Sequence, residues 1–226
     1  MVLFCSFRII EMKVLLHVGC GPADISCLPA YFQDGSWQEL RYDIDPAVEP
    51  DLVGTLQDMS IIESDSIDAI YSSHNVEHVW SFEVGQVLSE FSRVLRPDGF
   101  ALVLCPDIIS VAQAITKGAL DQPLYVSPAG PIYAIDVIYG FREDIKKGNV
   151  FMAHKTAFSA HTLATALLEN GFAGATVTRD RCYGLHAFVT KTEWNAALVD
   201  QMLDVLHPGG NNALERLRFG CYVPSI

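Results

Sequence analysis

The feature that most narrows the fold is the run Lys13-Val-Leu-Leu-His-Val18 entering Gly19-Cys20-Gly21-Pro22. A short apolar run without polar alternation is what a strand buried on both faces looks like, and such strands belong to parallel sheets. The glycines behind it supply a tight turn, so the segment reads as the opening of a βαβ unit.

The rest of the chain extends that unit. A short helix is expected at 23–32, a second strand at 39–42 ending in Asp43-Ile44-Asp45-Pro46, a third at 51–53 and a fourth at 66–72. From 83 to 95, Val84, Val87, Leu88, Phe91, Val94 and Leu95 recur at helical spacing, and Arg96-Pro97-Asp98-Gly99 is expected to stop that helix. Residues 100–105 form the fifth strand. The alternation then lapses across 107–158, which carries prolines, tyrosines and no clean period, and this is read as a substrate-side elaboration rather than a second domain. Regular structure resumes with a helix at 159–170, capped by Ser159 and stopped by Asn170-Gly171, then strands at 175–179 and 185–190 and a last helix near 192–206. One domain over 13–206 follows, with a tail at 207–226. Residues 1–12 are read as a dispensable extension, because Met12 stands directly before the first strand; a chain beginning there is expected to fold and bind equally well.

Composition supports one soluble core. Half of the 226 residues are hydrophobic, enough to offset the conformational entropy of folding, and no apolar stretch approaches a membrane span. The net charge of −12 disfavours a nucleic-acid partner, since phosphates are held mainly by cationic side chains. Six cysteines without a CxxC pair, several inside apolar runs, point to a reducing cytoplasmic compartment.

In a parallel sheet the strand ends converge on one crevice. Here they carry Gly19-Cys20-Gly21, Asp43, Asp58-Met59 and Ser72-Ser73-His74-Asn75. Glycines after the first strand let a ligand approach the backbone, and an acid after the second can accept both hydrogen bonds of a ribose diol. Asp43 follows Gly21 by 22 residues, near the spacing of about 20 for that pairing. The alternatives are an ordinary βα turn for the glycines and turn chemistry with Pro46 for Asp43. A nicotinamide site wants a third glycine three residues after Gly21, where this chain has Asp24.

Together with Ser66-Ile-Asp-Ala-Ile-Tyr-Ser-Ser-His-Asn-Val-Glu-His78 and Phe91-Ser-Arg-Val-Leu-Arg-Pro-Asp-Gly99, these motifs resemble a class I S-adenosylmethionine-dependent methyltransferase, more narrowly the small-molecule type 11 kind. The likeness spans roughly 13–106, with a looser echo to 190. It implies a Rossmann-like α/β fold with a seven-stranded, mostly parallel sheet flanked by helices and an insertion between strands 5 and 6. It also implies S-adenosyl-L-methionine as cofactor and methyl transfer to an O or N atom of a small molecule. Carried over, Gly19, Cys20 and Gly21 line the methionine part, Asp43 holds the ribose, Ile44 packs on adenine, and Leu56, Asp58 and Met59 grip it from the next loop. Ser73 and His74 complete the cofactor wall. His17 stands where the family often has an acid, and Ala23 replaces a third glycine. These departures motivate the alternative of a catalytically silent binder of the cofactor or a nucleoside.

His74 is the first candidate base, or else a cofactor-lining imidazole. His154 is the second candidate base, and with Tyr139, Arg142 and Lys155 it is a candidate substrate contact; the other reading is that His154 and Lys155 flank a helix start on the surface. Glu77 and His78 follow His74 on one helical face, but the order His-Glu-x-x-His is absent and the sequence offers no third ligand, so no metal is expected. The cluster Arg142, Lys146, Lys147 and Lys155 suggests an anionic acceptor. The apolar segment Cys221-Tyr-Val-Pro-Ser-Ile226 suits packing on its own domain or in a homodimer.

Overall fold

The strand Lys13–Val18, β1, buries its last four residues and sits inside the sheet, as its apolar run requires. The structure is a computed structural model that describes residues 12–192 and, as backbone, 215–219. β1 pairs in parallel with β2 (Trp37–Asp43) on one side and β4 (Ile67–Ser73) on the other. The short β3 (Leu52–Val53) extends the sheet beyond β2, and β5 (Leu95–Pro106) beyond β4. After β5 come β8 (Gly174–Arg179), β9 (Gly184–Thr190) and β10 (Glu215–Phe219). The order across the sheet is β10-β8-β9-β5-β4-β1-β2-β3. β9 runs antiparallel to β5 and β8, and β10 antiparallel to β8, so the other strands share one direction. Chain order reverses at β1, between β2 and β4, and ligands in such sheets bind outside the carboxyl ends of the strands at this reversal.

Alternate residues of the central strands feed opposite faces. Leu16, Val18 and Ile70 pack under α1 (Val84–Val94) and α5 (Ala160–Glu169), where Val87, Leu88, Phe91, Leu163 and Leu167 are fully buried. Leu15, Ala69 and Leu102 face the other way, onto Phe32, Trp37 and Phe188. The helix expected at 23–32 is instead two 3-10 turns, Ile25–Cys27 and Ala30–Gln33. Pro29 caps the second turn and prevents continuation from the first.

Residues 107–158 are more ordered than their sequence suggests. They hold α2 (Ile108–Thr116), a hairpin of β6 (Pro123–Ser127) and β7 (Gly130–Tyr133) and α3 (Ala134–Tyr139), packed around Val111, Ala134 and Val137, followed by α4 (Arg142–Lys146). Two further details differ from expectation. The seven expected strands are all in the sheet, and β10 adds an eighth from the segment read as a tail. The helix stops before Arg96-Pro-Asp-Gly99 as expected, at Val94, but β5 begins at Leu95 rather than at residue 100. Residues 1–11 and the expected helix beyond Thr192 lie outside the described residues. Among the described residues no helix is long and apolar enough to cross a membrane.

Candidate active site

The turn after β1 is held by a set of specific contacts. Gly19 has φ +59°, and a Cβ there would stand 1.7 Å from Asn75 Oδ1, so only glycine fits. Asn75, just past β4, donates from Nδ2 to the carbonyls of Val18 (2.8 Å) and Ser73 (3.0 Å), tying the two strand ends together. Gly21 also has a positive φ, +52°, but nothing lies within 4 Å of where its Cβ would be; that side is open cleft. The Asp43 carboxylate accepts the Gly21 N–H at 2.8 Å on one oxygen and the Asp45 N–H at 2.9 Å on the other. Arg41 donates to the carbonyls of Gly21 (2.7 Å) and Ala23 (3.1 Å) on one loop and of Val48 (3.1 Å) and Glu49 (2.8 Å) on the next, fixing their separation.

His17 does not face this cleft. Its Nδ1 lies 2.7 Å from Glu39 Oε1, while Glu39 Oε2 accepts the Ile25 N–H at 2.9 Å. Burial pulls the imidazole below its ordinary pKa, against the opposing hydrogen bond from Glu39, so the contact is a neutral ring donating to a carboxylate.

Between these loops and the elaboration lies a cavity of about 330 Å³, walled by Gly19, Gly21, Asp43, Ile44, Leu56, Gln57, His74, Asn75, His78, Met152 and Lys155 among others. A smaller one of about 130 Å³ adjoins it on the elaboration side, with Tyr125, Asp136, Phe141, His154 and Tyr183 in its wall. His74, His78 and Met152 line both. Their backbone is built for this. His74 adopts φ +56°, unusual for a residue other than glycine and a form of strain that collects at functional sites. The elaboration docks through the Lys155 and Thr156 N–H groups, which both donate to the Glu77 carbonyl (2.8 and 3.2 Å).

Behind the shared wall stands Glu77, 1% exposed, with Oε1 3.1 Å from His74 Nδ1. Burial alone would push its carboxyl up; the hydrogen bond and charge of His74, reinforced by His78 and His154, hold it below the ordinary range. For His74 burial acts downward, but Glu77 overrides it and raises the imidazole; for His154 burial dominates and lowers it.

Of the residues singled out in the sequence, Gly19, Gly21, Asp43, Ile44, Leu56, His74 and Lys155 stand on the larger cavity and His154 on the smaller. Cys20, Asp58, Met59 and Ser73 line neither. Cys20 is buried, with its thiol pushed up by burial; Asp58 caps the Ser60 N–H; Met59 belongs to the core. Tyr139 is exposed and Arg142 is engaged by Asp136, both off the cavity walls. Lys147 pairs with Asp144, and Lys155 lies over Trp80, so the basic cluster is largely compensated. Asn75 was noted only as part of the fourth strand end, and Arg41, Gln57 and Met152 were not anticipated. Its place directly after a strand was the signal for Asn75; the other three come from positions with no local pattern.

Residues 16–103 match the family described as "Methyltransferase domain" (Methyltransf_11). No curated protein matches the chain. Among solved structures, a Methanosarcina mazei protein titled an SAM-dependent methyltransferase superposes with a TM-score of 0.55 at 14% identity, covering 81% of this chain and 94% of its own. The PH0226 protein of Pyrococcus horikoshii gives 0.55 at 14%, covering 82% and 84%. At such identity these likenesses speak to the fold alone, and the segment that matches the family runs from β1 into β5. That segment contains the glycine turn, the Asp43 loop and the His74 strand end just described, so the part of the chain that is similar to a methyltransferase domain is the part that builds the strand-end side of the larger cavity.

Proposed function

We propose that the protein transfers a methyl group from S-adenosylmethionine to an oxygen or nitrogen of a small molecule held between the β4 strand end and the 107–158 elaboration. The observation that carries this reading is the pair of adjoining cavities with a common wall of His74, His78 and Met152. A donor and an acceptor must meet in line at about 3 to 3.5 Å, and two chambers with one partition suit that need.

The residues of the larger cavity fit the cofactor. Gly21 leaves its backbone approachable, and each Asp43 oxygen accepts one backbone N–H, keeping capacity for a ribose hydroxyl. Ile44, 44% exposed, and Leu56 offer apolar surface to a base. When bound, the cofactor supplies an electrophilic methyl on a sulfonium, and the chain's own contribution is then mainly positioning and exclusion of water. His74 or His154 serves as base if the acceptor must lose a proton, an aid worth about 10² to 10⁴-fold. His154 Nδ1 lies 2.8 Å from the Val137 carbonyl and so donates, which leaves Nε2 able to accept.

The test is thermal shift with S-adenosylhomocysteine, S-adenosylmethionine and NAD. At about 100 times Kd a ligand stabilises by about 2.7 kcal/mol, a rise of roughly 5–10 °C at this size. Both sulfur compounds should shift the wild type, NAD should not, and Asp43→Ala should abolish the shift. No shift with either sulfur compound overturns the reading. Binding without turnover across a broad acceptor panel would favour the silent binder.

A further inference from the structure

The fold brings a third donor to Glu77 and His78 that the local sequence does not offer. A carboxylate oxygen of Glu77 and one ring nitrogen each of His78 and His154 lie within 4.8 Å of one another. The two rings are already oriented. His78 Nδ1 is 3.1 Å from the Ala153 carbonyl and His154 Nδ1 2.8 Å from the Val137 carbonyl. Carbonyls only accept, so both Nδ1 atoms carry the proton and both Nε2 atoms present a lone pair. A backbone carbonyl that fixes the tautomer of a ligating histidine is the usual outer support of a metal site. Independently, Glu77 Oε2 is buried and has no hydrogen-bond partner, although Oε1 of the same carboxylate is engaged by His74. A buried carboxylate oxygen is normally satisfied, and a cation among these three side chains would satisfy it.

We propose that Glu77, His78 and His154 form a binding site for a divalent transition metal of the zinc class. Two imidazoles and one carboxylate are the protein ligands of open, non-structural zinc sites, whose ligand atoms stand about 3.4 Å apart when each is at about 2.0–2.2 Å from the metal. Small rotations close the present spacing to that value. His78 and His154 both line the smaller cavity, so the remaining coordination position faces the acceptor side. An acceptor bearing a hydroxyl or carboxylate oxygen is the ligand class that would complete it. That last role rests on the methyltransferase reading; metal binding itself does not.

Chelator-stripped protein titrated with Co²⁺, read by visible d–d absorption and by metal content after desalting, tests the site. About one equivalent should bind, Zn²⁺ should displace it, and Glu77→Gln and His154→Ala should each weaken binding by about a hundredfold, while His161→Ala changes nothing. Near-UV circular dichroism establishes which variants keep the fold; if Glu77→Gln does not, His154→Ala decides. No stoichiometric binding by the wild type, or undiminished binding by the folded variants, overturns the proposal. S-adenosylhomocysteine thermal shift on the same samples is a separate readout, so loss of one reading does not mimic loss of the other.

Discussion

At the residue scale, Gly19 and Gly21 have nearly the same backbone and opposite surroundings. Gly19→Ala meets both the left-handed penalty, about 1–2 kcal/mol, and a collision with the Asn75 amide, so it should lower stability clearly in denaturant unfolding. Gly21→Ala meets the penalty alone but places a methyl in the cleft. It should cost about 1–2 kcal/mol of stability, while S-adenosylhomocysteine affinity falls by a larger factor in calorimetry. His17 carries a pH signature. Its folded pKa is depressed by burial, so its contribution to stability is full above about pH 6.5 and is lost as pH falls toward the folded value, where the unfolded chain takes up the proton first. A plot of unfolding free energy against pH should therefore slope downward below about 6.5, and His17→Gln should flatten that part of the curve. The glycine turn and Asp43 were legible because each needs a residue type that little else can supply. The strand tie made by Asn75 and the loop clamp made by Arg41 were not, because the carbonyls of Val18, Gly21 and Ala23 that they hold are distant in sequence.

At the element scale, α1 was readable to within a residue because its apolar stripe matches the helical period, and the face it marked is the one that is buried. Phe91 lies at the centre of that face and is fully buried. Phe91→Ala should cost about 3–5 kcal/mol and lower Tm by roughly 10 °C, since the surrounding strands cannot collapse into the space. The two-sided strands β1, β2 and β4 were equally plain. Residues 23–32 misled because apolar content without a sustained period fits a helix and a pair of 3-10 turns alike, and Pro29 decides between them. The elaboration was opaque for a different reason: β6, β7 and α3 are short, and their packing around Val111 and Val137 comes from contacts no local pattern encodes.

At the scale of the whole molecule, cover and sheet share a hinge point. The Lys155 and Thr156 N–H groups converge on the Glu77 carbonyl, and Gly140 approaches Met152 so closely that a Cβ would stand 1.9 Å from its carbonyl oxygen. Occupancy of the larger cavity should thus be felt on both sides of the cleft. Hydrogen exchange with saturating S-adenosylhomocysteine should slow at residues 19–21 and at 154–156 together, whereas protection limited to the glycine turn would mean that the cover stays uncoupled. The strand β10 adds a last consequence. Its five residues pair with residues 175–179 of β8, so the outer ladder of that strand, buried at five of its six positions, is occupied over this stretch. An unprotected ladder is a template for a neighbouring chain. β10 takes the edge position in place of β8, and a change that prevents residues 215–219 from pairing would uncover the β8 ladder and should show first as aggregation rather than as lost S-adenosylhomocysteine binding.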